Sequence, residues 1–214
     1  NDGYANTELT FRNRNGSYTA TNDLVRVGGL EFMANAIRFI SRGPGENQGD
    51  GTAMINGLAV ILAQDHEGNG PELALATAVA DDYVFELALK LFIYDDLAVT
   101  GNGTETFILS GDLSEYYRTG RSLTKSGDST LRMTGASDLT GTIAVEDGGL
   151  IAEHQDALGF ADIAVSGDGQ LVLRNVAAAV AALLEGEPDF IDDEAAVLLG
   201  DLSGVQSAMV LDFD

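Results

Sequence analysis

Apolar residues in this chain recur two apart, in short bursts separated by glycine. The clearest run is Ser122 to Ile151, SLTKSGDSTLRMTGASDLTGTIAVEDGGLI. Its bursts are Leu131 and Met133, then Ile143 and Val145, then Leu150, and Gly127, Gly135, Gly141 and Gly148 fall between them. Alternation at period two predicts strands with one buried face. The regular glycines predict a turn after each short strand. Strand and turn repeating with no helical interval is the pattern of a chain that coils on itself. The expected fold is all-β: a right-handed parallel β-solenoid in which every strand bonds to the strands one turn before and one turn after.

The same rhythm runs through the rest of the chain. Leu9 and Phe11, then Tyr18 and Ala20, alternate around Asn15-Gly16, which reads as a hairpin or as a turn between successive solenoid strands. An apolar set follows from Leu24 to Ile40, then a glycine-rich loop from Gly43 to Gly51. Met54 to Ala63 is a strand broken at Asn56-Gly57, and Asp65 to Gly70 is a turn. Leu73 to Val79 and Tyr83 to Tyr94 are the most apolar strands. Val84, Leu87, Leu89, Leu91 and Ile93 do not share one parity, which predicts a bulge or corner near Phe85-Glu86, with a helix over Tyr83 to Phe92 as the alternative. Ser110 to Thr119 has room for one helical turn. Near the end, Asn175 to Leu184 is alanine-rich, with an N-cap at Asn175, Gly186 beyond it and Pro188 after that, so a short helix is expected. Ala208 to Phe213 reads as a closing strand.

No linker interrupts the pattern, so residues 1–214 are expected to form one domain: an N-terminal segment over 1–23, the clearest repeat over 122–151, and a helix with closing strands over 175–214. At roughly 20 residues per turn of a solenoid the chain makes about ten turns. With neighbouring strands about 4.8 Å apart, the body is on the order of 50 Å long.

Residues 122–151 also resemble the autotransporter-associated β-strand repeat, the passenger-associated transport repeat. Leu123, Lys125, Gly127, Thr130, Leu131, Met133, Gly135, Gly141, Val145 and Gly148 fill the family's positions in order. The sequence departs from the pattern at Ser129 (usually glycine), Ser137 (usually asparagine) and Leu139 (usually aromatic). Looser echoes are Val27 to Phe32, Ala157 to Gly159 and Gly169 to Leu173. The resemblance implies a secreted or surface-displayed bacterial β-helix and supplies no catalytic residues.

Charge narrows the partners. The 34 acids against 11 bases leave a formal net charge of −23. Nucleic acid needs clustered Lys and Arg on one face, and an anionic membrane surface needs the same, so neither is an expected partner. Lys90 and Lys125 are the only lysines. Such a surface suits a salty or calcium-containing exterior. With no Cys, disulfides, thiolate metal sites and cysteine nucleophiles are excluded together. No run of about 18 apolar residues is present, so no spanning helix is expected. The chain starts at Asn1 without a basic–apolar–small leader; a processed mature chain and a fragment of a longer protein both fit.

Candidate chemistry is sparse. His66 and His154 each lie in a polar, turn-like segment and do not make a zinc motif. The serine-hydrolase GxSxG, Walker A and GxGxxG patterns are absent. Asp81-Asp82, Asp95-Asp96, Glu146-Asp147 and Asp192-Asp193-Glu194 are acid pairs of the kind some polysaccharide-cleaving β-helices use, but adjacent acids on a strand point to opposite faces. No catalytic residue and no cofactor is therefore assigned. Calcium is the one ligand considered: Asp65, Glu67 and Asn69 alternate like an oxygen-ligand loop, and Glu46, Asn47 and Asp50 form a second set. Tyr116-Tyr117-Arg118 reads as an exposed corner, with a sugar-stacking patch as the alternative.

Three functions compete. The first expectation is a non-enzymatic extracellular structural protein that joins its own copies head to tail into a cell-surface fibre, sheath or filament. The joint would use Leu9, Phe11, Arg12 and Arg14 at one end and Met209, Leu211 and Phe213 at the other. Residues 1–42 carry five arginines against four acids, whereas 185–214 carry acids and no base, so unlike ends attract. The alternatives are an autotransporter-type adhesin passenger, binding a surface or matrix polysaccharide, and a carbohydrate-active β-helix enzyme.

Overall fold

The structure is a computed structural model. It describes residues 6–12, 16–23, 32–40, 51–75 and 83–174, and the backbone of 208–212. These residues are all-β, every strand pairing is parallel, and there is no helix among them. The expected helix over 175–184 lies outside the described residues.

The strands fall on three faces. The first carries seven in spatial order: β1 (Glu8–Arg12), β4 (Ala36–Ile40), β7 (Glu72–Leu75), β10 (Leu97–Thr100), β13 (Leu123–Lys125), β15 (Thr142–Val145) and β17 (Asp162–Val165). The second carries eight: β2 (Tyr18–Asn22), β5 (Gly51–Gly57), β8 (Tyr83–Leu87), β11 (Thr106–Leu109), β14 (Thr130–Met133), β16 (Gly149–Ala152), β18 (Gln170–Arg174) and β19 (Ala208–Asp212). The third carries four: β3 (Phe32–Ala34), β6 (Val60–Leu62), β9 (Leu91–Ile93) and β12 (Leu113–Glu115). Through β12 the chain visits the first, second and third faces in turn and then starts again one strand further along; from β13 to β18 the strands alternate between the first and second faces. Stacked parallel sheets built this way are consistent with a β-solenoid.

Parity builds the core. Every second residue of a strand points inward, and parallel register puts like positions on top of one another. On the second face Ala53, Phe85, Phe107, Leu131, Leu150 and Leu171 form one column. All six are buried. Its aromatic part is joined to the first face, where Phe39 lies 4.9 Å from Phe85 between ring centroids; Phe85 stacks on Phe107 at 5.7 Å and 6°.

Several expectations change. Asn15-Gly16 does not close a hairpin: β1 pairs with β4 and β2 with β5, so the segment joins two faces of one turn. Tyr83 to Phe92 is not a helix, and the bulge or corner expected near Phe85-Glu86 comes as a corner at Ala88–Lys90, with Phe85 and Glu86 mid-strand. Tyr83, Phe85, Leu87, Leu89, Leu91 and Ile93 are all buried, so inward parity is unbroken through the corner at Ala88–Lys90; Val84 is the outward residue that obscured it. Ser110 to Thr119 holds β12 instead of a helical turn. The described residues make fewer than ten turns. Lys125 pairs with Val145 and Val145 with Val165, a repeat of twenty, but Ile37 pairs with Leu73, thirty-six residues on. Longer turns near both ends, thirty-six residues from Ile37 to Leu73 and thirty-eight from Leu173 to Leu211, consume the chain, and eight strands stack to roughly 35 Å.

Two glycines show how tightly the turns stack. Gly101 has φ +114°, and a Cβ there would run into the backbone of Leu75 one turn below. Gly148 has φ +65°, and its Cβ would meet the Gly127 and Ser129 carbonyls. Only glycine combines this conformation with such an approach.

Candidate functional site

At corners the ladder of strand hydrogen bonds breaks, and backbone N–H groups need other acceptors. Side-chain oxygens from the adjacent turn supply them. The Asp95 carboxylate accepts from Gln64 N–H at 3.0 Å, Asp96 from Ser122 N–H at 3.0 Å, Asp112 from Ala136 N–H at 3.3 Å and Asp138 from Glu115 N–H at 2.8 Å. Glu115 Oε1 accepts from Arg121 N–H and Thr140 N–H, both at 2.8 Å. The Asn102 carbonyl accepts from Asp128 N–H, and Ser122 Oγ from Thr142 N–H. The Asp95-Asp96 pair of the sequence is thus two caps, one reaching down a turn and one up. These acids hold corners.

The outer faces carry a second set of ties. Arg38 bridges Glu8 and Glu72 at 2.8 Å each, across three consecutive turns. Glu153 joins Arg132 at 2.8 Å and Arg174 at 3.2 Å in the same way. Burial raises the Glu153 pKa, but hydrogen bonds and charge from the two guanidiniums outweigh it and hold the carboxyl below its usual value.

One charge lies inside the core. Lys125 occupies the inward column of the first face, between Val99 below and Val145 above, and is 0% exposed. Its ammonium turns into the next corner and donates to the carbonyls of Ser126 at 3.0 Å, Gly127 at 2.6 Å and Asp147 at 3.2 Å. Burial pulls its pKa down to about 8, against the opposing pull of Asp147 and Asp128. Lys125 therefore pins the Ser126–Gly127 corner to the corner above it.

The calcium candidate is a hydrogen-bonded turn. Asp65 accepts from Glu67 N–H at 2.8 Å, Asn69 N–H at 2.9 Å and Asn69 Nδ2 at 2.7 Å. These bonds, led by the Asn69 side chain, lower the Asp65 pKa. Asp65 and Asn69 are brought together, but Glu67 contributes its backbone N–H. Among the described residues no three His, Asp or Glu side chains gather as a metal site. Glu46, Asn47 and Asp50 lie outside the described residues. His66 donates its backbone N–H to Asn6 Oδ1, and His154 Nδ1 accepts from Asp156 N–H.

The residues expected to join copies stand at the borders of the described stack. β1 ends the first sheet and β2 the second, with Leu9 and Phe11 half-buried and Arg12 exposed. At the opposite border β19 pairs Met209 with Leu171 and Leu211 with Leu173. Arg14 and Phe213 lie outside the described residues, as do the side chains of Met209 and Leu211. Sequence reasoning missed the corner caps and the inward Lys125. The two-residue step from Leu123 to Lys125 was the available signal for the latter.

Comparison with protein-family models, with curated proteins and with solved structures returned no match.

Proposed function

We propose that this chain is a right-handed β-solenoid acting as an extracellular structural protein, whose copies join head to tail into a cell-surface fibre, sheath or filament. The observation that carries the reading is the pair of parallel edges. β1 and β2 border the described sheets at one end, and β17 and β19 border them at the other. A parallel edge accepts another strand in the same direction, so an N-terminal edge of one copy can continue the C-terminal edge of another. Leu9 and Phe11 are only half-buried where their counterparts Ile37 and Phe39 are buried. A following copy would cover them. Such a heterologous contact repeats without closing, which makes a filament rather than a dimer. The likeness of residues 122–151 to the autotransporter-associated repeat supports a bacterial surface setting.

Light scattering with negative-stain imaging tests this. Fibres are expected, and they should disappear on deleting Ala208 to Asp214. A monomer that persists at high concentration and high salt overturns the proposal, as does polymerisation that survives the deletion.

The adhesin alternative is favoured by a separate observation, the exposed aromatic rings of Tyr117 and Phe160. No observation favours the enzyme.

A further inference from the structure

Between the third face and the first, the winding carries a line of aromatic rings. Tyr94 stands at the end of β9, and Tyr116 and Tyr117 one turn further along, at the end of β12. Ring centroids are 6.2 Å apart for Tyr94 and Tyr116 and 4.3 Å for Tyr116 and Tyr117. Phe92 joins from the outer side of β9, 5.4 Å from Tyr116. The same corner continues upward through Glu115 Oε1, which accepts from Thr140 N–H, and then through Leu139 O, which accepts from Phe160 N–H. Phe160 therefore sits two turns beyond the Tyr116–Gly120 corner, in register with Thr140 and Gly120, roughly 10 Å along the stack.

Two of these rings face solvent: Tyr117 is 85% exposed and Phe160 is 83% exposed. Tyr117 also has φ +59°, alone among the described non-glycine residues in the left-handed region. A tyrosine gains nothing for folding from that conformation, which a glycine or asparagine would adopt more readily. The backbone strain and the large exposed ring are on the same residue, and strain of this kind gathers at ligand-contacting positions.

The geometry points to a polysaccharide-binding strip on this corner, whose ligand is an extended, uncharged glycan lying along the stack with sugar faces on Tyr117 and Phe160. The chemistry selects that occupant. Sugar rings present apolar C–H faces that stack on aromatic rings, and a linear glycan advances by about one strand spacing per sugar, so a chain laid along this corner passes both turns that carry an exposed ring. Polyanions are repelled by a chain of net charge −23. A cation seeking ring faces finds Phe92 covered by Lys90, 4.9 Å from its centroid, and Tyr94 by Arg118 at 5.6 Å. The corner acids Asp95, Asp96 and Glu115 are turned onto backbone N–H groups. A protein partner needs about 800 Å² a side, and Phe92, Tyr94 and Tyr116 are already half-buried. Arg118 is exposed beside the strip and supplies donors for sugar hydroxyls. This inference stands apart from the joining of copies, since it uses the side of the stack and not its ends.

Affinity electrophoresis of the full chain in native gels tests it, with hydroxyethyl cellulose and galactomannan as neutral polymers and polygalacturonate as the charged one. Retardation by at least one neutral polymer is expected, with none by polygalacturonate. Tyr117→Gly should weaken retardation about tenfold, and Phe160→Ser should weaken it too. Tyr117→Gly should melt no lower than the native chain, because it relieves the left-handed backbone. The inference is overturned if neither neutral polymer retards the protein, if polygalacturonate retards it equally, or if both variants run like the native chain. A Tyr117→Gly variant that loses retardation only together with its fold, while Phe160→Ser keeps both, also overturns it.

Discussion

Lys125→Met is the substitution that asks most of this structure. It keeps a long unbranched side chain in the column between Val99 and Val145 and removes the ammonium that meets three carbonyls. Burial lowers the Lys125 pKa from 10.5 to about 8. The unfolded chain then binds more protons than the folded one between those two values, so the stability of the native chain rises as pH climbs through that window. Each pKa unit is worth 1.36 kcal/mol, so the full rise is on the order of 3 kcal/mol. The contribution is fully present above 10.5 and is lost as pH falls through about 8. Every other titratable group is common to both proteins, so its contribution cancels in the comparison. Urea unfolding of the native chain and of Lys125→Met, at matched pH from 7 to 10.5, isolates the one group. The gap in unfolding free energy should move in favour of the native chain with rising pH. A gap that stays flat across the window would mean that the carbonyls hold the ammonium fully charged, and it would refute the reasoning.

The remaining predictions concern packing. Leu131→Asp or Val145→Asp should unfold the protein, since each places an unpaired charge at a site no more than 2% exposed, at a cost of several kcal/mol; an unchanged thermal melt by circular dichroism would contradict the inward columns. Gly101→Ala should cost well over about 1 kcal/mol, because strained φ is joined by a clash with Leu75. Gly120→Ala, with φ +83° and open space around it, should cost about 1 kcal/mol or less. Equal losses for the two would show that the turn below does not press on Gly101.

The strands were legible in the sequence because their signal is local. Leu131, Met133, Ile143 and Val145 announce an inward face by spacing alone, and the structure buries all four. The bulge or corner foreseen near Phe85-Glu86 comes later, at Ala88–Lys90, for an equally local reason: half-buried Val84 is as apolar as its inward neighbours, so hydrophobicity could not show which parity was inside. The number of turns was not legible, since nothing in a corner's composition states how many residues it spends before the next strand. The caps were hidden more deeply. Asp95 serves Gln64 and Asp96 serves Ser122, partners thirty-one and twenty-six residues away, brought close only by the winding. From sequence alone those carboxylates looked like surplus surface charge or a catalytic pair. Lys125 was legible as a motif position but not as a core residue, because buried lysine runs against composition-based expectation.

The direction of the sheet hydrogen bonds has a mechanical consequence. They run from turn to turn, along the stack, while the strands lie across it. A pull on the two ends of the winding therefore loads those bonds in tension and peels one turn at a time from an end, instead of shearing many at once. Each peeled turn lengthens the chain by its whole contour. A twenty-residue turn such as Lys125 to Val145 releases roughly 65 Å, and the thirty-six-residue turn from Ile37 to Leu73 nearly twice that. Such a coil yields in graded steps under load and rewinds when the load is released, with its longest steps stored toward both ends, since Leu211 lies thirty-eight residues beyond its partner Leu173.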